Sequence, residues 1–573
     1  SANSLGVTAA WALLVGVGRG EADSPEEPAI RVPGHALGDA LPEDRVLVRR
    51  DVRARGLRPG PQQSATGTVV RILERHRKHI VGTLQSSKQF LYVIPDDPRI
   101  PHDIYVPAPR DVGRPARVGD KVVVELGEWQ SRHTNPEGEI IEVLGPPDAE
   151  GVDMLSVLRQ YNLASHFPKA VLQEARAFGT TLQPRDIQGR LDCRSHQVIT
   201  IDPDDAKDFD DAICIERLDG NRWRLWVHIA DVSHYVAPGT SLDDEARRRG
   251  NSTYLVDRVV PMLPEALSNE LCSLKPGVER LTRCVEFTLS DAGAVLDTRF
   301  HSAVIHSKRR FSYQDAFAIL QRRPADPVES MLHDAHNLAQ RIRRARFKAG
   351  SLELDFPEMK IRLDDRCRVA RIERVENDVS HQLIEEFMLL ANETVATHLE
   401  SHGMPALYRI HEAPDPLKVL QFDEFISGFG YSLGAGERAV EPNHFQTLVE
   451  RIRGTPEERP IAFLMLRTMQ KARYDALNVG HFGLAATSYT HFTSPIRRYP
   501  DLVVHRLLRE QRHTRLTAER QAELEEDLPE VGRHTSERER RAQEAEREIL
   551  QWKKVRRSEE HTSELQSRGL ISY

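Results

Sequence analysis

The chain has 573 residues, of which 39% are hydrophobic and 29% charged, and a formal net charge of -7. Its length exceeds what one hydrophobic core serves and predicts about three or four domains, while the balance of apolar and charged residues excludes bulk disorder. The negative charge excludes gripping nucleic acid by overall positive potential, so any such binding requires a localised basic channel. The five cysteines, Cys193, Cys214, Cys272, Cys284 and Cys367, show no C-x-x-C spacing and no neighbouring His pattern. Neither a zinc site nor a disulfide framework is expected, and a reducing cytoplasm is the simplest compartment.

In chain order, the apolar run at 9–17 is too short to span a bilayer and reads as a buried strand or helix. Residues 44–143 carry short β-rich runs separated by Pro, Gly and Asp, which predict one or two small antiparallel barrels. The Arg-, Gly- and Pro-rich stretch 53–63 reads as a loop between strands. Apolar positions at helical spacing, including Leu155, Val157, Leu158, Tyr161 and Leu163, predict a helical bridge over 152–178. A domain boundary near 183–189 follows. Residues 191–508 mix strands such as 223–229 with amphipathic helices such as 381–399, the pattern of a large mixed α+β or α/β domain. Residues 516–554, dense in Glu and Arg, predict one long helix or two with a largely solvated face. The final stretch 557–567 has no apolar periodicity and resembles the translation of a sequencing adapter, so the native chain is expected to be cut at about Arg556.

Chemistry concentrates in residues 198–213. Six aspartates, Asp202, Asp204, Asp205, Asp208, Asp210 and Asp211, fall within ten positions between apolar runs. Like charges so close raise one another's pKa and destabilise the fold unless cations neutralise them. Hard carboxylate oxygens at this density suit Mg²⁺ or Mn²⁺. An EF-hand would need an oxygen ligand and a glycine where Ala206 and Lys207 stand, which argues against calcium storage. A solvated acidic turn accounts for the charge and not for the apolar flanks Ile199, Ile201, Phe209 and Ile213. Downstream, the Pro-bounded, aromatic-rich segment 489–502 carries Arg497 and Arg498, with His505 and Arg506 beyond. Adjacent arginines there can present a fork of donors to a phosphate, complementing a metal cluster.

The run 201–213, the segment 254–274 with Pro261-Met262-Leu263-Pro264 and Leu267-Ser268-Asn269, and the loop 491–501 resemble, in that order, the RNB exoribonucleases, most closely their bacterial ribonuclease R branch. The similarity runs from about His35 to Arg556. It implies N-terminal OB or cold-shock-like β-barrels followed by a large mixed α+β RNB catalytic domain. The expected divisions are 1–75, a partial first barrel; 76–146, a second barrel; 147–190, a helical linker; 191–556, the RNB domain with its C-terminal helices; and 557–573, a non-native tail. A further RNA-binding barrel that the family carries after the last helix is missing, so truncation at both ends is expected.

The family's four carboxylates fall on Asp202, Asp208, Asp210 and Asp211, with Asp204 and Asp205 as supporting candidates. Arg497 matches the arginine at the scissile phosphate, and Arg498 beside it is a structural or secondary contact. Tyr254 and Tyr313 match aromatics that stack on terminal bases, although each also fits as an ordinary core aromatic. Phe356 is either an opposing wedge or a core residue. Glu385 or Glu386, and Glu546, fall where the family places carboxylates near the terminal ribose, and Glu546 also fits a solvated helix face. The implied activity is processive 3′→5′ hydrolysis of single-stranded RNA, structured RNA included as an open case, to nucleoside 5′-monophosphates. Two Mg²⁺ ions would serve it, with Mn²⁺ able to substitute. The implied partner is RNA with a free 3′ end, bound by a cytoplasmic monomer without membrane, haem or nucleotide cofactor. The alternative is a catalytically silent RNB scaffold that regulates by binding RNA.

Overall fold

The structure is a computed structural model. It describes residues 12–14, 30–41, 44–50, 66–75, 78–88, 90–110, 112–127, 129, 134–352, 358–364, 369–375, 377–434, 439–513 and 516–570, with 557–570 by backbone alone. The expected loop 53–63 and the candidate Phe356 lie outside the described residues. Two compact units form: Ser1–Leu163 with Asp364–Arg368 and Glu548–Tyr573, and Ala164–Leu363 with Val369–Arg547.

In the first unit β1 (Ala12–Leu14) pairs with β2 (Ile30–Val32), and β3 (Arg45–Arg50) with β4 (Gly67–Glu74), both antiparallel. Five further strands, β5 (His79–Ser86), β6 (Leu91–Pro95), β7 (Ile104–Val106), β8 (Lys121–Leu126) and β9 (Gly138–Gly145), form an antiparallel sheet of order β7-β6-β5-β8-β9. Their β-branched and aliphatic residues Ile80, Leu84, Val93, Ile104, Val122 and Val124 meet in one core. Helix Val152–Gln160 belongs to this unit and helix Lys169–Ala177 to the other, so the stretch expected as a single bridge is divided.

The second unit is built on a seven-stranded sheet of order β10-β17-β16-β13-β12-β11-β18. Its strands are β10 (Leu191–Cys193), β11 (Ile199–Asp202), β12 (Asp211–Leu218), β13 (Arg222–Ala230), β16 (Glu279–Leu289), β17 (Val295–His306) and β18 (Arg309–Ser312). A two-stranded hairpin, β14 (Thr253–Tyr254) with β15 (Val259–Val260), stands apart from it. Central strands run antiparallel, and β10 with β17 and β11 with β18 run parallel. Trp223, Leu225, Val227 and Ile229 alternate along β13 and are all buried. Helices Pro327–Lys348 and Val379–Ser401 pack on β12 and β13 through Leu332, Ala335, Leu383 and Phe387, giving the mixed α+β architecture expected. The sequence announces where these helices begin, capped by Asp326 and Asp378, and a capping box of Ser312 and Asp315 starts the shorter helix Tyr313–Leu320 before them.

A buried ionic junction follows β13. Asp231 bonds Arg190 at 2.8 Å and Arg283 at 3.2 Å, and all three side chains are almost wholly enclosed. Burial alone would raise the Asp231 pKa, but the two guanidiniums outweigh it and hold the carboxyl well below its usual range. Near the C-terminus one helix, Ala518–Leu570, covers the charged stretch. At Gly532 it comes so close to the Tyr474 backbone that an added Cβ would stand 3.1 Å from the Tyr474 carbonyl oxygen. Among the described residues no helix is long and apolar enough to cross a membrane.

Replacing Asp231 with Asn strands two buried guanidiniums and is expected to cost about 3–5 kcal/mol of unfolding free energy in urea titrations. A loss under 1 kcal/mol would contradict the junction's structural role. Burial also pushes His481 down to about 3 and His505 to about 4, from an ordinary 6.5. Below pH ~6.5 the unfolded chain takes up protons that these folded rings refuse. Their contribution is therefore complete above that pH and lost as pH falls towards 4. Thermal melts should show Tm falling between pH ~7.5 and ~5, and substituting both rings with Gln should lessen the fall.

Candidate active site

Adjacent antiparallel strands deliver the first half of the site. Ile199 of β11 pairs with Ile213 of β12, so Asp202 at the end of β11 and Asp211 at the start of β12 emerge at one edge. The intervening turn carries the remaining aspartates. Arg310 Nη2 donates to the carbonyls of Pro203 (2.6 Å) and Asp204 (3.1 Å), and its guanidinium lies 5.0 Å from the Phe209 ring. Ser273 Oγ accepts from Phe209 N at 3.0 Å and donates to Lys207 O at 2.7 Å. The segment 254–274 thus buttresses the acidic turn. Asp205 faces away and pairs with Lys360 at 3.0 Å.

The carboxylates differ in setting. Asp202 is 8% exposed and Asp210 is buried, whereas Asp208 and Asp211 are partly exposed. Burial first, then the charge of Asp211, raises the Asp202 pKa. Asp210 is pushed well up by burial, which Arg497 and the Ile496 amide only partly offset. Burial likewise raises Asp211 against the pull of Arg497 and Arg498. Ionising these three neighbouring carboxyls is therefore opposed chiefly by burial, a cost that a divalent cation would offset. Among the described residues Asp202 Oδ2 is buried without a hydrogen-bond partner. An orphaned hard oxygen beside three more carboxylates fits Mg²⁺ or Mn²⁺ ligation.

The arginine loop supplies the second half. Asn392 holds it from behind, accepting from Phe492 N at 2.8 Å and donating to Tyr489 Oη at 3.0 Å. Ile496 N donates to Asp210 Oδ1 at 2.9 Å, which joins the loop to the acidic cluster. Arg497 Nε stands 3.8 Å from Asp210 Oδ2, and the Arg497 side chain is 43% exposed. Arg498 is turned the other way, donating to Asp501 Oδ1 at 2.7 Å. That carboxylate also accepts from Ser494 N at 2.7 Å. Of the two roles open to Arg498, its commitment to a wholly buried carboxylate favours the structural one.

The remaining candidates separate similarly. Tyr254 is 40% exposed, and its hydroxyl donates to Asp208 Oδ2 at 3.0 Å. Its backbone N–H donates to Glu546 Oε1 at 3.0 Å, so Glu546 is drawn from the charged helix to the edge of the site. Tyr313 stacks on His381 with ring centroids 3.8 Å apart, close enough to Asp211 and Asp202 for their charges to act on its hydroxyl. Glu386 does not face the site: it is 1% exposed and closes ion pairs with Arg343 (3.0 Å) and Arg346 (2.6 Å). Both Glu386 oxygens accept from these arginines, which favours an ion-pairing role over an RNA contact there. Its neighbour Glu385 stays half exposed.

Sequence reasoning missed Asn392 and Asp501, which touch backbone and arginine and set the loop's shape. Asp501 lay inside the quoted motif, three residues from Arg498, a spacing that could have suggested the pair. It also missed the exposed aromatics Phe90 and Tyr105, whose rings lie 5.0 Å apart, with the half-buried Tyr92 beside Phe90. Such a cluster is a platform of the kind that bases stack upon.

The RNB domain family matches residues 190–513, and the Cold shock domain family residues 92–168. The chain is 40% identical to ribonuclease R of Thermotoga maritima, over 94% of this chain and 75% of that protein. It is also 40% identical to ribonuclease R of Escherichia coli, over 85% of this chain and 61% of that protein. Its fold matches Mycoplasma genitalium RNase R in complex with ribose-methylated single-stranded RNA, with a TM-score of 0.82 and 26% identity over 92% of this chain and 83% of that one. Yeast Ssd1, a pseudonuclease, shares the fold at a TM-score of 0.73 and 22% identity, over 91% of this chain and 70% of that one.

If the carboxylates await a cation, millimolar Mg²⁺ or Mn²⁺ raises the Tm of the native chain. Saturation at a hundred times Kd corresponds to about 2.7 kcal/mol. Asp202→Asn removes part of the repulsion, so its metal-free Tm is expected to rise and its response to metal to shrink. A native Tm indifferent to divalent ions would mean that the charge is compensated from within.

Proposed function

As a member of the RNB family, in its ribonuclease R branch, the chain is a metal-dependent 3′→5′ exoribonuclease, and we propose that Asp202, Asp208, Asp210, Asp211 and Arg497 are its catalytic residues. The observation that carries this assignment is the bond from Ile496 N to Asp210, which sets an exposed arginine directly over an undercompensated acidic cluster.

The proposed substrate is single-stranded RNA, attacked at a free 3′ end; ribose-methylated single-stranded RNA is the ligand named for the Mycoplasma genitalium structure. The proposed reaction releases nucleoside 5′-monophosphates one at a time. Two Mg²⁺ ions held by the four aspartates, with Mn²⁺ able to replace them, would supply an activated water and neutralise charge at the phosphate. Each side chain has a distinct part. Asp202 and Asp210, buried and rigid, fix positions at the strand ends. Asp208 is oriented by the Tyr254 hydroxyl. Arg497, tethered through its Nη2 to Ser494 Oγ at 3.0 Å yet still open to solvent, offsets charge developing on the phosphate.

Tyr254 and Tyr313 flank the cluster and would stack on the terminal bases, contacts that ignore base identity. Glu546, with Glu385 as the outward-facing member of its pair, would accept from ribose hydroxyls and thereby disfavour DNA. Arg498 enters only by holding the loop. The proposal places the enzyme in RNA turnover in the cytoplasm, acting as a monomer. Every carboxylate and the arginine that hydrolysis requires are present, which favours this reading over a silent RNA-binding scaffold.

Release of labelled mononucleotides from an RNA with a 3′ overhang, in Mg²⁺, should vanish in Asp210→Asn while RNA binding persists. Arg497→Ala should slow release by about 10²–10³-fold. Tyr254→Ala should weaken RNA binding by about 1–3 kcal/mol. Undiminished release by Asp210→Asn would remove the assignment.

A further inference from the structure

Away from the carboxylates, the catalytic sheet encloses a second set of groups able to hold a metal. The segment Cys193-Arg194-Ser195-His196 has the spacing C-x-x-H, a cysteine paired with a histidine and not with a second cysteine. The turn is closed by His196 N donating to Cys193 O at 3.1 Å, so both side chains project from one tight loop after β10. His228, near the C-terminal end of β13, joins them, and the ligand atoms of Cys193, His196 and His228 all lie within 4.8 Å of one another. In the strand order β10 and β13 are separated by β17 and β16. Three flat strand spacings would hold them about 14 Å apart, so the sheet must curl to bring these groups together.

Their chemistry is that of a prepared ligand set. His228 is completely buried, and its Nδ1 lies 3.1 Å from Thr282 Oγ1. With Nδ1–H donating there, Nε2 keeps its lone pair for a metal, the arrangement that outer partners impose on metal-bound histidines. Cys284 Sγ stands 4.0 Å from that same Nε2 and can serve as the fourth donor. Among the described residues His196 Nδ1 is buried without a hydrogen-bond partner, an unmet demand that ligation would satisfy. Because the His196 side chain is only half-buried, an ion has a way in.

We propose that Cys193, His196 and His228, completed by Cys284, form a binding site for a thiophilic divalent transition metal, zinc foremost. Two imidazoles with thiolate sulfur are a zinc donor set and a poor one for Mg²⁺. The bound ion would pin the turn after β10 to β13. Two residues beyond His228, Ala230 N donates to the Asp210 carbonyl at 2.8 Å, so this tie lies within one strand end of the acidic cluster.

The test uses the full chain, stripped with a chelator, given excess Mg²⁺ to occupy the carboxylates, and titrated with Co²⁺ as an optical stand-in for zinc. The expected result is a thiolate-to-cobalt charge-transfer band that saturates at one equivalent and is abolished by added Zn²⁺. Carboxylate-bound Co²⁺ cannot produce that band. Cys193→Ser, which leaves Cys284 as the one remaining sulfur donor, should weaken it by about half or more. His196→Ala, which alters a half-buried ring and spares the core, should weaken Co²⁺ binding at least tenfold, and it decides the matter should Cys193→Ser fail to fold. No charge-transfer band in the folded native chain, or an unchanged band in His196→Ala, overturns the proposal.

Discussion

Negative charge crowded at the meeting of two strand ends is the constraint around which the catalytic unit is organised. Asp202 and Asp211 are brought together by the pairing of β11 with β12, and Asp208 and Asp210 follow from the turn between them. Leaving such a cluster in water would be easy. Here most of it is enclosed, which raises the pKa of each buried carboxyl and costs stability. The surrounding structure opposes that cost with backbone amides, one exposed arginine and a demand for cations.

That view gives separate work to residues that look equivalent in the chain. Arg497 faces the carboxylates and solvent, whereas Arg498 is enclosed on Asp501 and keeps the loop in shape. Asn392, reaching from helix Val379–Ser401, holds the loop's aromatic end. Tyr254 connects the two halves of the proposed chemistry, since its hydroxyl orients Asp208, its amide recruits Glu546, and its ring remains open to a base. Positioning and binding are thus shared by a few groups, and the loss of one propagates to its neighbours.

The parts of this legible in the sequence were those encoded locally. Six aspartates in ten positions between apolar flanks declared a buried acidic turn, and β-branched runs declared the strands of the barrel in the first unit. Pairings set by tertiary contact were not legible. Glu385 and Glu386 are adjacent, but neighbouring positions on a helix point about 100° apart, so one faces solvent and the other two buried arginines. Helical phase with Leu383 and Phe387 carried a signal for the buried member, which a family match alone obscured. The Cys193-x-x-His196 pair was readable, but His228 and Cys284 come from distant strands, and only the curl of the sheet brings them near. The Asp231 junction with Arg190 and Arg283 was equally hidden, because nothing in a lone Asp announces two partners so far along the chain.

The account rests on divalent ions seated between the strand ends at Asp202 and Asp211. Crystals of the chain soaked in Mn²⁺ and measured for anomalous scattering examine that seat directly. The prediction is an anomalous peak about 2.0–2.6 Å from carboxylate oxygens that include Asp202 Oδ2. Absence of any peak there, with the four carboxyls instead neutralised by protein donors, would contradict it.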